Sequence, residues 1–253
     1  MNLFLKGKKV VVTGGTGGIG KSICKSFEDE GSIVYSVSKS TGVDFSNFDE
    51  VEEYASTINS VDCVVATIGS GKSSQEYIPE NWENVWDTNF KTALNTAKVF
   101  VPKINDGGSL IFISSISGVE YIGAPSDYSV SKCAIIAMVK NLSKKVPSIR
   151  VNVVSPGNVY FPGSNWDNKT QEVKDKILES VTMKRFGKPN EIADFVAFLS
   201  SPRASLLQVK ILLLMVDKSI VFWYNLKNSS NSLCMQLQKL ESITTVPCFM
   251  QKN

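Results

Sequence analysis

The stretch Lys9-Val10-Val11-Val12-Thr13-Gly14-Gly15-Thr16-Gly17-Gly18-Ile19-Gly20 constrains this chain more than any other. Three consecutive valines read as a strand buried on both faces, the kind found in a parallel sheet covered by helices. Glycines follow at once, and a helical pattern then opens with Ile19, Ile23 and Phe27 along one face. A strand, a glycine turn and a helix N-terminus in that order make a phosphate site. The turn presents backbone N–H groups, and the helix end carries partial positive charge. Side chains larger than hydrogen would block the approach of a pyrophosphate. An ordinary tight turn is the plainer reading of the glycines alone. Their place near the start of an alternating strand–helix chain favours the phosphate site.

The chain has 253 residues, the natural size of one α/β domain with a full core. Its net charge of +3, without any Lys/Arg run, gives no case for a nucleic-acid partner. No apolar stretch reaches membrane-spanning length, and Met1–Lys9 lacks the apolar core of a signal peptide. The five cysteines are scattered and odd in number, which fits free thiols in a reducing compartment and a cytoplasmic protein. Histidine is absent altogether. Ser-His-Asp triads, Cys-His pairs and histidine metal sites are therefore excluded, and no metal site is expected. Acid–base chemistry in this chain falls to Tyr, Lys, Asp or Glu.

A first strand, about Lys8–Thr13, feeds a helix from about Gly18 to Glu30, which Gly31 terminates. Ser32–Val37 reads as a second strand. In dinucleotide folds an acid near this strand's end binds the ribose hydroxyls. Here Ser38, Lys39 and Ser40 stand there instead, with no acid to repel a 2′-phosphate and a lysine to attract one. That leans towards NADP over NAD, although a solvated loop lysine reads the same way. Asp44 follows in the short apolar run Gly42–Phe45, as a candidate near the adenine or a plain turn acid. A polar helix then covers about Asn47–Asn59.

Val61–Ile68 is the next strand, and Gly69-Ser70-Gly71 breaks it. A long helix starts at Pro79–Asn81 and carries Trp82, Val85, Trp86, Asn89, Ala93 and Leu94. Its two tryptophans, four apart, read as core or interface. Ser109–Ser115 is a strand, and Ser126–Val146 a helix with Tyr128 and Lys132. Ile149–Ser155 is a strand stopped by Pro156-Gly157, and Pro189–Ser200 a further helix. The loop between the last two holds Tyr160, Phe161 and Trp166. This alternation predicts a doubly wound parallel α/β sheet, a single Rossmann-type domain over residues 1–205 with helices on both faces.

With these residues in place the chain resembles the short-chain dehydrogenase/reductase family, from about Lys8 to Ser205. The family's Thr-Gly-x-x-x-Gly-x-Gly matches Thr13, Gly14, Gly18 and Gly20, and its helix asparagine matches Asn89. Its serine matches Ser115, thirteen residues before Tyr128, and its Tyr-x-x-x-Lys matches Tyr128 and Lys132. Pro156-Gly157 and the helix after Arg185-Phe186-Gly187-Lys188 complete the series. The glycine turn also satisfies the extended branch's pattern through Gly14, Gly17 and Gly20, whereas length and the Pro189 helix favour the classical branch. Two departures stand out. Ala66-Thr67-Ile68-Gly69 replaces the usual Asn-Asn-Ala-Gly, and Phe161 stands where a threonine often meets the nicotinamide amide, with Ser164 a possible substitute.

The resemblance implies a catalytic set of Asn89, Ser115, Tyr128 and Lys132. It implies cofactor contacts from Thr13, Gly14, Thr16, Gly17, Gly18, Ile19 and Gly20, and from Ser38, Lys39, Asp44 and Gly69. Tyr128, Lys132, Pro156, Gly157 and Val159 complete the cofactor set. A phenol's ordinary pKa of about 10 is too high for a base near neutrality, and a cation beside it favours the phenolate. Lys132, one helical turn on, shares a face with Tyr128. Ser115, at the C-terminal end of a parallel strand, is placed to polarise a carbonyl, and Asn89 to hold a water. The expected activity is NADP- or NAD-dependent interconversion of a small secondary alcohol and its carbonyl, 3-oxoacyl reductases being one such kind. The alternatives are a nucleotide-sugar epimerase or dehydratase of the extended branch, and a nucleotide-binding regulator that has lost catalysis. Family members often form homo-oligomers.

At Ser205 the resemblance stops. The family continues with Thr-Gly, a seventh strand and Val-Asp-Gly-Gly. This chain continues Leu206-Leu207-Gln208-Val209-Lys210, and all 17 glycines lie before it, with none in the last 48 residues. A compositional break at a motif boundary points to a shifted reading frame; a genuine divergent tail is the alternative. Ile211–Val216 has the β-propensity to fill the seventh-strand position, but Lys218 and Ser219 lack glycine's positive φ. A poorly ordered or misplaced tail beyond Lys218 and weakened assembly are the expectation.

Overall fold

The computed structural model describes residues 2–71, 79–208 and 211–214. Six strands form one parallel sheet: β1 (Lys9–Thr13), β2 (Ile33–Val37), β3 (Val61–Ala66), β4 (Ile104–Ile113), β5 (Arg150–Pro156) and β6 (Ile211–Leu214). Their spatial order is β2-β1-β3-β4-β5-β6, every neighbouring pair parallel. The doubly wound α/β fold expected from the alternation is the fold observed. β1 pairs with β2 on one side and β3 on the other, so the winding reverses at β1. The carboxyl ends of β1 and β3 therefore open the crevice where such sheets bind ligands.

Both faces of the sheet are covered, which is why the strands read as unbroken apolar runs. One core gathers Val11, Val64, Leu110, Phe112 and Val151 with Phe45, Val51, Phe100, Ile135 and Val139. These last five come from the Gly42–Phe45 run and from α2 (Phe48–Ser56), α4 (Thr92–Phe100) and α5 (Ser126–Lys145). The other gathers Val10, Val12, Val65, Ile111 and Val154 with Ile23, Phe27, Ile192, Val196 and Leu199. Its helices are α1 (Gly18–Asp29) and α7 (Pro189–Ser200). Alternate valines of β1 thus serve opposite cores, as period-two side chains require.

Three departures from the sequence reading have physical causes. The long helix is not uniform: α3 (Pro79–Trp86) passes into a π-helical turn, Asp87–Lys91, and then into α4. Asn89 sits in that turn, and no periodicity announces a change from one hydrogen-bond ladder to another. β4 begins five residues before Ser109, because Ile104 pairs with Val61 across a register shift that the turn-like Asn105–Gly108 hides. Gly108 is required there, since a Cβ would lie 2.6 Å from the Asp62 carbonyl oxygen. Gln171–Ser180 (α6) buries no residue, so no apolar stripe marks it beyond Val173, Ile177 and Leu178.

The stretch after Ser205 is stitched to β5 before β6 begins. Gln208 Oε1 accepts from Val151 N–H at 2.7 Å and Gln208 Nε2 donates to Ile149 O at 3.1 Å. The amide thereby imitates a strand's backbone along β5. Asn152 Nδ2 donates to Leu207 O at 2.8 Å, and Ile211–Leu214 then pairs in register with Val153–Pro156. The expectation of a misplaced tail beyond Lys218 falls outside the described residues.

Candidate active site

The glycine turn is built by backbone geometry. Gly14 has φ +77°, and its N–H donates to Val37 O at 2.7 Å, tying the end of β1 to β2. Gly17 N–H donates to Gly14 O at 3.2 Å, and Gly17 is the N-cap residue of α1. A Cβ on Gly20 would overlap Gly14 O, so the helix can approach the turn only as glycine. The first-turn N–H groups of α1 have no partner within the helix and face the crevice with the positive end of its dipole. Thr13 lies beneath, fully buried. These features form a cradle that side chains would fill, and they fit a pyrophosphate.

At the end of β2 three hydroxyls close a ring: Thr16 to Ser38 at 2.8 Å, Thr16 to Ser40 at 3.0 Å and Ser38 to Ser40 at 2.8 Å. Ser40 was not among the residues picked out from the sequence as binding. Only the alternation Ser38-Lys39-Ser40 hints at it. Lys39 is not free: its ammonium donates to Asp44 Oδ2 at 2.6 Å. Asp44 is held also by Ser46 N–H at 2.9 Å and Ser46 Oγ at 2.7 Å. The Lys39 bond, then those from Ser46, lower its carboxyl pKa to about 2. The sequence places both charges at this end of the cleft but not their pairing.

The other end lies at the carboxyl rim of β4. Ser114 Oγ donates to Lys132 O at 2.8 Å, and a Cβ on Gly118 would lie 2.7 Å from the Lys132 carbonyl carbon. The turn after β4 is thus pressed on α5, which brings Ser115 beside Tyr128 on the wall of the same cleft. Burial raises the phenol's pKa, and Ser115 offsets this only in part. Lys132 is buried, donates to Ile113 O at 3.3 Å, and is lowered to about 8 by desolvation. Its Nζ stands 5.7 Å from the Tyr128 ring centroid. The expected lowering of the phenol by Lys132 is therefore not found in the protein alone; burial dominates.

Gly69 joins the remaining parts. A Cβ there would lie 2.8 Å from Lys132 Nζ and 2.9 Å from Asn89 Oδ1. Asn89 is fully buried in the π turn, accepts from Ser70 N–H at 2.8 Å and donates to Ser70 O at 3.2 Å. Its amide thus holds the chain after β3, where the family's Asn-Asn-Ala-Gly is missing.

Every residue expected to bind or react, except the buried Thr13 and Asn89 behind the wall, lines one cleft of about 650 Å³. That set is Gly14, Thr16, Gly17, Gly18, Ile19, Gly20, Ser38, Lys39, Asp44, Gly69, Ser115, Tyr128, Lys132, Pro156, Gly157 and Val159. Thr67 and Ile68, from the altered Ala66–Gly69 segment, also line it, as do Thr92 and Asn165, which no motif singles out. Phe161, Ser164 and Trp166 form its outer wall. Among the described residues no cluster of acids and cysteines suits a metal ion.

Residues 37–218 match the family model described as enoyl-(acyl carrier protein) reductase. The chain belongs to the short-chain dehydrogenase/reductase family. It is 32% identical over 226 residues to the acetoacetyl-CoA reductase of Synechocystis sp., covering 81% of this chain and 93% of that one. It is 30% identical over 243 residues to the 3-oxoacyl-(acyl-carrier-protein) reductase of Chlamydia muridarum, covering 84% and 97%. The L-sorbose reductase of Gluconobacter frateurii, solved with NADPH and L-sorbose, superposes with a TM-score of 0.77 at 26% identity, covering 87% and 100%. A 7α-hydroxysteroid dehydrogenase solved with NADH and 7-oxo glycochenodeoxycholic acid shares the fold, with a TM-score of 0.78 at 23% identity over 87% and 98%. As a family member the chain is an NAD(P)-dependent oxidoreductase, and its relatives favour that reading over an epimerase or an inactive regulator. Among the described residues no helix is long and apolar enough to cross a membrane.

Proposed function

We propose that this protein is an NADPH-preferring carbonyl reductase in which Tyr128 exchanges the proton, Ser115 orients the carbonyl, and Lys132 and Asn89 organise the site. A nicotinamide dinucleotide bound in the cleft supplies or accepts the hydride. Tyr128 gives its hydroxyl proton to the oxygen that becomes an alcohol, and takes it back in the reverse direction. The raised phenol pKa suits the donor role, since the group stays protonated at neutral pH. Ser115 lines the same cleft beside Tyr128, so a carbonyl oxygen received by one is within reach of the other. Lys132, lowered to about 8, carries a proton that it can exchange near neutrality. Asn89 fixes the Ser70 backbone beside it. The convergence of Tyr128, Ser115 and Lys132 with the glycine cradle in one cleft carries this reading.

The preference for NADPH rests on the cluster of Thr16, Ser38 and Ser40, three hydroxyls that can turn towards a phosphate, with no acid among them. Lys39 adds charge, shared with Asp44. Lys39, Asp44 and Lys132 are the charged residues lining the described cleft, and Val159, Phe161 and Trp166 supply apolar wall. That suits a small, uncharged reacting end with an apolar neighbour, and a 3-oxoacyl thioester is the class we favour. Free thiols at Cys24, Cys63 and Cys133 are in keeping with a reducing, cytoplasmic setting. The test is a panel of 3-oxoacyl thioesters, keto-sugars and keto-steroids, following loss of NADPH absorbance. The thioesters should turn over fastest, and NADPH should bind tighter than NADH in titrations at fixed salt. Equal or reversed cofactor affinities, or no turnover of any ketone, contradict the proposal.

A further inference from the structure

Phe161, part of the cleft's apolar wall, also leans on the glycine turn. Its ring atoms Cδ2, Cε2 and Cζ lie so close over Gly18 that a methyl group on that glycine would overlap all three. Gly18 is the first residue of α1, a helix of twelve residues, directly behind the Gly14–Gly17 turn. An anion is drawn to such a helix end, and a glycine there lets a pyrophosphate come close to the backbone. In this protein its own phenylalanine takes that close approach. The ring is half-buried and packs on the core between the sheet and α1 and α7.

The seat is built from both sides. Tyr160 N–H donates to Gly187 O at 3.0 Å, and Val159 bridges Gly187, which fixes the chain entering Phe161. Beyond it, Ser164 N–H donates to Phe161 O at 2.9 Å. Asp167 gathers Gly163 N–H at 2.8 Å and the Tyr160 hydroxyl at 2.9 Å. Residues 160–167 are therefore one knitted turn that presents the ring to Gly18.

We propose that Phe161 competes with the dinucleotide for the N-terminus of α1, so that its ring must leave Gly18 before a pyrophosphate can settle there. The inference rests on the dinucleotide reading above. A molecule with the ring seated does not bind, and the apparent affinity falls by the fraction that is open. Half-burial of a phenylalanine favours the seated ring by about tenfold. The effect is blind to the 2′ substituent, so NADPH and NADH are weakened alike. A ligand without a pyrophosphate escapes it.

Calorimetric titration of the full chain tests this with NADPH, NADH and adenosine 2′-monophosphate, for the unmodified protein, Phe161→Leu and Phe161→Ala. Phe161→Ala should bind both dinucleotides about tenfold tighter, with a matching rise in association rate by stopped flow. Phe161→Leu should fall between, and adenosine 2′-monophosphate should bind all three forms equally. Unchanged or weaker dinucleotide binding in Phe161→Ala, while the unmodified protein binds, would show that the ring is a supporting wall and overturn the proposal. An equal gain for adenosine 2′-monophosphate would overturn it too. If no form binds either dinucleotide while circular dichroism shows all three folded, the dinucleotide reading itself falls, and this inference with it.

Discussion

Lys132 is an amine with one backbone acceptor, Ile113 O, buried in the wall of the cleft. Burial lowers its pKa from the ordinary 10.5 to about 8, so its charged form is better tolerated in the unfolded chain than in the native one. Below pH 8 both states carry the proton, and the native state bears the full desolvation cost. That cost is relieved as pH rises from 8 towards 10.5. Lys132→Met should therefore raise stability at pH 7, by about 1–2 kcal/mol once the lost hydrogen bond is subtracted. The gain should fade by pH 10. Urea melts at the two values measure it, and a variant that is less stable at pH 7 would show that the ammonium is better solvated than its burial indicates. At this scale the sequence was an uneven guide. Residue identities and the interval from Ser115 to Tyr128 were legible because chain spacing fixes them. The Lys39–Asp44 pair, the hydroxyl ring and the seat of Phe161 were not, because each depends on where two loops meet.

At the scale of elements, strand and helix order followed from valine runs, glycine breaks and one-sided helix faces, since these patterns report burial directly. What escaped was packing without an apolar signature: the π turn around Asn89, the early start of β4, and the exposed α6. One such contact positions the reacting groups. Gly118 touches the backbone of α5 at Lys132, and backbone cannot step aside cheaply. Gly118→Ala should wedge the Ser115 turn off α5 and separate Ser115 from Tyr128. We expect kcat to fall about 10–100-fold while NADPH affinity holds within about twofold, because a misplacement near 1 Å costs that order of rate. An unchanged kcat would show that the turn can shift without disturbing the serine.

For the whole molecule, the question is what the atypical stretch after Ser205 does. Gln208 satisfies Val151 N–H and Ile149 O through its side chain, and Leu212 is buried in the core beside Val154. Gln208→Ala should cost about 1–3 kcal/mol, the penalty for leaving backbone groups without partners. A melting temperature unchanged from that of the parent would mean that another group takes over. We read the loss of glycine after Ser205 as a shifted frame and expect weakened assembly. Translating the other two frames after codon 205 should reveal Thr-Gly and Val-Asp-Gly-Gly, and their absence from both frames would refute the shift. The family match runs on to residue 218, past the boundary that composition places at Ser205, and nothing in the composition showed that a glutamine side chain would stitch the crossing.

The central claim is that Tyr128 supplies the proton in a cleft that binds the dinucleotide independently of that hydroxyl. Tyr128→Phe keeps the ring and removes only the donor, so NADPH binding and turnover should be measured on the same preparation beside the unmodified protein. The account predicts a dissociation constant within about twofold and turnover of a 3-oxoacyl thioester reduced by about 100-fold or more. Turnover close to that of the unmodified protein would contradict it and move the proton donor elsewhere.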